Sequence, residues 1–525
     1  MRTTSAEDLD VVIVGAGLSG VGAACHLQRR CPGLSWTILE GRERIGGTWD
    51  LFRYPGVRSD SDMHTLGYSF EPWEGETAIA EGAAILDYVR QTARRHGVLN
   101  RVRTGSRVVR AEWSSDDARW TLRVAGTADP PGATTTLTCS FLKLCTGYYD
   151  YDAGHDPALP GAERFQGPIV HPQHWPEDLD YAGRRVTVIG SGATAVTLVP
   201  AMAPAAAHVT MLQRSPSYIV SLPSRDTLAE RLRGRVPRRL AYVAVRLKNV
   251  ALMTASYQLS RRRPRLMRSL IRRGAARQLP VGYDIDTHFA PDYSPWDQRL
   301  CVVPDGDLFR AVSDGSASMV TGELQTLTER GVRLRDGREL DADVIVTATG
   351  LKLLAIGGID LVVDGETVNL PERLVYRGMM LDGVPNMTFT IGYTNASWTL
   401  KADLTARFSC RLLRHMRRRG AATCVAVAPD EAIERRPLID LASGYVRRSV
   451  HDFPSQGTRR PWRLHQNYAL DVLELRLARL EDGVLRFGPP GRHARGASAT
   501  RTVTEQPEGA EDTGDRAPAT AAPLP

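Results

Sequence analysis

The stretch "DLDVVIVGAGLSGVGAACHL", residues 8–27, carries the reading that decides the fold. An apolar, β-branched run from Val11 to Val14 leads into Gly15-Ala16-Gly17-Leu18-Ser19-Gly20 and then into small residues at helical spacing. Gly15 permits a tight turn, Gly17 lets backbone approach a pyrophosphate, and Gly20 lets helix and strand pack closely. Ser19 stands in the first turn of that helix, whose N-terminus favours phosphate charge. Such a glycine pattern is weak alone. Here the next strand, "WTILE", ends on Glu40, twenty-five residues after Gly15, where a carboxylate can accept both ribose hydroxyls. Strand, glycines, helix and acid in that order make a dinucleotide site.

A second copy runs through "RRVTVIGSGATAVTLV", residues 184–199, with Gly190, Gly192 and Ala195 in the three small positions. Ser191, Ala193, Thr194, Val196 and Thr197 complete its turn and first helical residues. Its partner strand, "HVTMLQR", ends on Arg214 followed by Ser215, with no acid. A carboxylate there would repel a 2′-phosphate, whereas a guanidinium and a hydroxyl bind one. FAD in the first site and NADPH in the second is the simplest assignment. Two further strands, in "FLKLCTG" (141–147) and "LDADVIVTATG" (340–350), each run into Thr-Gly, a form suited to a chain passing between two such domains. The expected fold class is α/β, with two Rossmann-like dinucleotide-binding domains and an inserted helical segment.

Bulk properties bound the rest. A chain of 525 residues, 42% hydrophobic, is long enough for several cores. No run of about 18 uncharged apolar residues is present, and the N-terminus is acidic and polar, which argues against a spanning helix and a signal peptide. Seven cysteines without a CxxC pair fit free thiols in a cytoplasmic protein and argue against a disulfide reductase. Fifteen Lys and Arg, with no Asp or Glu, lie within 231–277; subtracting them from the net +8 leaves the remainder at −7. Apolar and basic residues alternate there at helical spacing, so the segment reads as a solvated basic face or as a dock for an anionic membrane surface, peripheral at the inner face. No nucleic-acid reader motif accompanies the charge, so nucleic acid is not an expected partner. His171 and His174 sit in a proline-broken stretch without a Cys or His cluster at zinc spacing, and no metal is expected.

The loop after Glu40, "GRERIGGTWDLFRYPGVRSDSDM", crowds aromatic, rigid and charged residues behind a nucleotide-binding unit, as a site would. It matches GxWxxxxYPGxxxD at Gly47, Trp49, Tyr54, Pro55, Gly56 and Asp60. "FQGPIVHPQHWP", from Phe165, matches FxGxxxHxxxWP at Gly167, His171, Trp175 and Pro176. With "DVIVTATG", these motifs resemble class B flavoprotein monooxygenases of the Baeyer–Villiger type. "GGTWDLFRYPG", "HPQHWPEDLDY", "SPWDQRL" and "GYTNASWTLKADL" resemble more narrowly the ethionamide-activating FAD-containing subfamily.

The resemblance implies an FAD-dependent, NADPH-consuming enzyme that inserts one oxygen atom from dioxygen into a ketone, giving an ester or lactone through a flavin peroxide. Arg299 is the position implied for the stabilising cation and Asp60 for the carboxylate that orients it. Gly47, Thr48, Trp49, Asp50, Leu51, Arg58, Ser59, Asp60 and Val108 are the further positions expected around FAD. Many relatives have lysine where this chain has Gln298, so the NADPH preference rests mainly on Arg214 and Ser215. Asn395, Trp398 and Lys401 are candidates for the substrate pocket. Oxygenation mainly at sulfur or nitrogen, of sulfides or thioamides, is an alternative, and a non-catalytic membrane-docked flavoprotein is another. The chain order suggests FAD-binding parts at 1–155 and 356–488, NADPH-binding parts at 156–217 and 299–355, a basic helical insertion at 218–298, and a disordered tail at 489–525.

Overall fold

The computed structural model describes residues 7–127, 130 and 132–490. All but the first two residues of the tail segment lie outside them. The strand read from Val11 to Val14 is the end of β1 (Glu7–Val14), and "WTILE" supplies β2 (Trp36–Leu39). Helix α1 (Leu18–Arg30) connects them, and the two strands pair in parallel, as a right-handed βαβ unit requires. On its other side β1 pairs in parallel with β3 (Thr135–Leu144). The edge of β3 then divides: Thr135–Cys139 bonds antiparallel to Arg119–Gly126, while Leu142–Leu144 bonds parallel to Met387–Phe389. The full sheet has nine strands, and Asp360–Val363 extends it beyond Ser106–Ser114.

The second glycine motif builds a separate five-stranded sheet. Its centre is β4 (Arg185–Ile189), flanked by β5 (His208–Gln213) and β6 (Val344–Thr347), with α2 (Ala193–Met202) following β4. All its pairings are parallel. Parallel strands are covered on both faces, which is why Val186, Val188, Val344 and Val346 are all buried.

The chain crosses between the sheets on paired strands. Tyr149–Gly154 leaves β3, Leu351–Leu353 leaves β6, and the two bond antiparallel. The "FQGPIVHPQHWP" stretch clamps this crossing. His171 Nδ1 accepts the Gln173 N–H at 3.2 Å and Nε2 donates to the Gly350 carbonyl at 3.2 Å, which defines a neutral ring. Its ring lies so close to Gly154 that a Cβ there would sit 2.0 Å from it. Gln173 donates to the Asp150 carbonyl, so the stretch grips both crossing strands.

The 218–298 segment differs from the helical expectation at its start. Ile219–Leu222 is a strand, paired in parallel with Cys301–Pro304, because "YIVSL" is apolar and β-branched enough to be drawn into a buried pairing. Long helices follow: α3 (Arg238–Arg262) and α4 (Pro264–Ala276), divided where Pro264 cannot continue the hydrogen-bond ladder. No helix among the described residues is long and apolar enough to cross a membrane.

Helix α5 (Trp398–Arg419) packs along α1, and a buried polar pair joins them. His26 Nε2 and Asp403 Oδ1 are 2.9 Å apart, and Asp403 also accepts the Ser69 N–H. Burial alone would raise the Asp403 carboxyl; the His26 hydrogen bond, the Arg246 charge and the Ser69 N–H overcome it and hold the pKa at about 2. A carboxyl lowered from 3.8 to about 2 contributes about 2 kcal/mol of stability above the unfolded value, lost as pH falls towards 2. Asp403→Asn is therefore expected to lower the thermal midpoint at pH 7 and flatten its fall between about pH 4 and pH 2. A midpoint-versus-pH curve parallel to the parent's would contradict this assignment.

Candidate active site

The two glycine turns line one cleft of about 1120 Å³, larger than the usual 300–1,000 Å³ of a single small-molecule pocket. Backbone contact explains why these positions are glycine. At Gly15, with φ +99°, a Cβ would sit 2.6 Å from the Cys145 carbonyl; at Gly20 it would meet the Gly15 carbonyl at 1.8 Å. Gly192, by contrast, faces open space, so none of the described residues fills the ground in front of the second turn.

Gly15, Gly17, Ser19, Glu40, Gly47, Thr48, Trp49 and Val108 all line the first half of the cleft. Glu40 is buried and holds the turn itself: one oxygen accepts the Ala16 N–H at 2.6 Å and the other the Arg42 N–H at 3.0 Å. Burial raises its carboxyl pKa against the pull of those amides and of Arg42. Thr48 and Tyr151 share a hydroxyl contact at 3.1 Å. Ser19 accepts the Trp398 indole N–H at 2.7 Å, which pins the start of α5 to the start of α1.

On the opposite side lie Gly190, Ser191, Gly192, Ala193, Thr194 and Thr197. Arg214 and Ser215 are exposed on the same wall, and Arg214 forms no ion pair among the described residues. Gln298 lines the cleft too, as does Arg335, a cation the motif reading did not single out, held 3.2 Å from Glu323.

Several expected residues do not reach the cleft as anticipated. Asp50 is almost fully buried beside Arg42, Arg44, Arg53 and Arg90, so its carboxylate orders these arginines and does not line the cleft. Gly20, Leu51, Ala195 and Val196 lie behind the cleft wall; Gly20 and Ala195 keep strand and helix close. Arg58 and Ser59 line the cleft, but the Arg58 guanidinium is taken by Asp307 at 2.5 Å. Of the three pocket candidates, only Trp398 lines the main cleft, stacked on Tyr148 at 5.1 Å. Asn395 borders a small neighbouring cavity, and Lys401 is buried in an ion pair with Asp471 at 2.8 Å.

Between the two turns stands Arg299, its Nε 3.4 Å from Asp60 Oδ2. A tight turn presents it. Ser294 N–H bonds back to the Asp297 carboxylate, the Asp297 N–H to the Ser294 carbonyl, and Trp296 adopts φ +71°. A bulky residue in that left-handed region is strained, and strain of this kind collects at functional sites. Burial works against the Arg299 charge, but the Asp60 carboxylate opposes that penalty, and the guanidinium pKa stays above the ordinary value. Burial raises Asp60 in turn, against Arg299 and Arg58. Tyr148, Tyr149 and Tyr445, which no motif singled out, are pushed up by burial and stay neutral, with Tyr149 at about 12. The cleft thus brings both glycine turns, Glu40, Arg214 and the Arg299–Asp60 pair onto one surface.

Residues 13–73 match the pattern of an NAD(P)-binding Rossmann-like domain. The oxidized steroid monooxygenase bound to NADP superposes with a TM-score of 0.74, covering 92% of this chain and 100% of its own, at 22% identity. The open form of cyclohexanone monooxygenase gives 0.68, covering 80% of this chain and 90% of its own, at 20% identity. At such identities the likeness concerns the fold. In sequence, the chain is 54% identical over 482 residues to the FAD-containing monooxygenase EthA of Mycobacterium tuberculosis, covering 92% of this chain and 98% of that protein. It is 50% identical to EthA of Mycolicibacterium smegmatis, covering 92% and 97% respectively. With both nucleotide turns, the cleft and that full-length identity in agreement, the chain belongs to the FAD-containing monooxygenase family.

Proposed function

We propose that this protein is an FAD-dependent, NADPH-consuming Baeyer–Villiger monooxygenase that converts ketones to esters or lactones. The observation that carries the reading is the Arg299 guanidinium, held by Asp60 in the cleft between two nucleotide turns of opposite ribose preference. The residues present fit both cofactors. Open backbone at Gly192 and the glycine-on-glycine contact of Gly17 with Gly47 suit two pyrophosphates, Glu40 suits an unphosphorylated ribose, and Arg214, without an ion pair among the described residues, suits a 2′-phosphate together with Ser215. FAD would be held by 1–155 and 356–488, and NADPH by 156–217 and 299–355.

Bound FAD, reduced by NADPH, supplies the activation of dioxygen, one atom of which enters the substrate while the other leaves as water. The chain supplies the electrostatics. As a ketone carbonyl is attacked its oxygen gains negative charge, and a preorganised cation in a water-poor site stabilises that charge without reorganising. Arg299 is that cation, and Asp60 is the residue that positions it. Tyr148, Tyr149 and Tyr445 keep their protons, line the wall beside it and exclude water. In the same reading, apolar ketones or sulfur compounds reach the enzyme at an anionic membrane surface.

Mass spectrometry of products from a mixed ketone and sulfide panel tests the reaction class. Esters or lactones with NADPH consumption support it. Sulfoxides formed while every ketone is returned unchanged would replace it with sulfur oxygenation.

A further inference from the structure

Helix α3 is apolar on its outward face as well as partly on its inward one. Polar side chains beside the buried Val245 and Val250 bolt the inward face down. Arg246 donates to the carbonyls of His64 and Gly67 at 2.7 and 2.8 Å, Asn249 to Asp62 at 2.8 Å, and Tyr242 to the Tyr68 carbonyl at 3.0 Å. Its outward face is apolar. Leu240, Val243, Ala244, Leu247, Ala251 and Ala255 follow the spacing i, i+3, i+4, i+7, i+11, i+15, and all six are exposed. Leu240 is 64% exposed and Leu247 62%, values that set this face apart from an ordinary helix surface. The stripe is about 22 Å long and carries no charged side chain. Since the inward bonds fix the helix's rotation, the stripe cannot be hidden by turning.

Cations frame it. Arg239 stands at one end, Arg262, Arg263 and Arg265 at the other, and Arg273 and Arg277 on α4; all are exposed, and none forms an ion pair among the described residues. A second row of exposed leucines, Leu470, Leu473 and Leu477, runs along α6 (Tyr468–Leu477), whose first residue packs on Val250 and Met253 of α3.

We infer that α3 lies in the interface of an anionic phospholipid bilayer, its leucine stripe among the acyl chains and its arginines on the headgroups. This rests on the proposed function only for its purpose. An apolar row with basic flanks is what an interfacial helix needs. A second copy of the chain fits poorly, because both ends of the stripe are cationic, so either orientation of an isologous pair sets arginine against arginine. Docking also reaches the site. The inner face of α3 lines a small cavity with Asn395 and Ala396, and Ala396 lines the main cleft as well, so the docked helix packs next to the site. In addition, Arg261 of α3 holds Asp297 at 2.7 Å, two residues before Arg299.

Co-sedimentation of the holoenzyme with vesicles tests this without turnover, so its outcome is independent of the reaction assigned above. Phosphatidylcholine vesicles containing about 30 mol % phosphatidylglycerol are expected to bind the protein at least about tenfold better than phosphatidylcholine alone, and less so as salt rises. Leu240→Glu with Leu247→Glu should cut partitioning about tenfold or more while NADPH oxidation in solution stays unchanged. Equal binding of parent and variant, no preference for the anionic lipid, or a concentration-dependent dimer with no vesicle binding would each overturn the assignment. Arg262→Glu with Arg265→Glu supplies a second test, expected to abolish the lipid preference; retention of that preference counts against the dock.

Discussion

Arg299→Ala is expected to lower oxygen transfer to substrate by about 10²–10³-fold while the enzyme keeps FAD and still oxidises NADPH. The expectation follows from position. Arg299 lines the cleft bordered by both nucleotide turns, its side chain 36% exposed and its partner Asp60 14% exposed, so bound cofactor and substrate complete the exclusion of water that strengthens its charge. Two other arginines of the cleft are otherwise engaged, Arg58 with Asp307 and Arg335 with Glu323. Uncoupling is the signature, with NADPH consumed, oxygen returned as hydrogen peroxide in solution, and little ester or sulfoxide. Asp60→Ala should fall between the parent and Arg299→Ala, because it leaves the charge and removes only its orientation. Full product formation by Arg299→Ala would remove the central support for the proposed function.

Arg214→Ala is expected to raise KM for NADPH by about 10–100-fold, the worth of one hydrogen-bonded ion contact, and KM for NADH by less than about twofold. Arg214 and Ser215 are exposed at the end of β5, and Gln298 contributes no charge. Because the guanidinium is solvated, the effect should shrink as salt is added. Equal changes for the two nucleotides would contradict a 2′-phosphate contact and return attention to Arg335, whose pairing with Glu323 leaves less of its charge for a ligand.

Both nucleotide turns were legible in the chain because their parts are contiguous. A β-branched strand, glycines at fixed offsets and a following helix form one local unit whose geometry follows from hard-sphere limits, and the ribose signal stands at the end of the next strand. The same locality placed Glu40 and Arg214 at strand ends, and both line the cleft. The surroundings of Asp50 were not legible, for the opposite reason. Its place in a cofactor-binding motif says nothing of the four arginines, one from a separate helix at Arg90, that claim its carboxylate. Lys401 likewise reads as a pocket cation until Asp471 is seen beside it. Tyr148, Tyr149 and Tyr445 carry no motif; their role comes from enclosure around Arg299.

The amino-acid sequence by itself determined two Rossmann-like units and the motifs that bind this chain to its family, since those depend on residues near one another in the chain. Tertiary structure alone decided which charges remain available. It turned Arg299 into the cleft through a strained Trp296, buried Asp50 and Lys401 in ion pairs, and rotated α3 so that Arg246 and Asn249 face inward and Leu240 and Leu247 outward. The physical reason is that helical spacing separates two faces without saying which is buried. Only the carbonyls and carboxylates waiting on the neighbouring loop, at His64, Gly67 and Asp62, determine that choice.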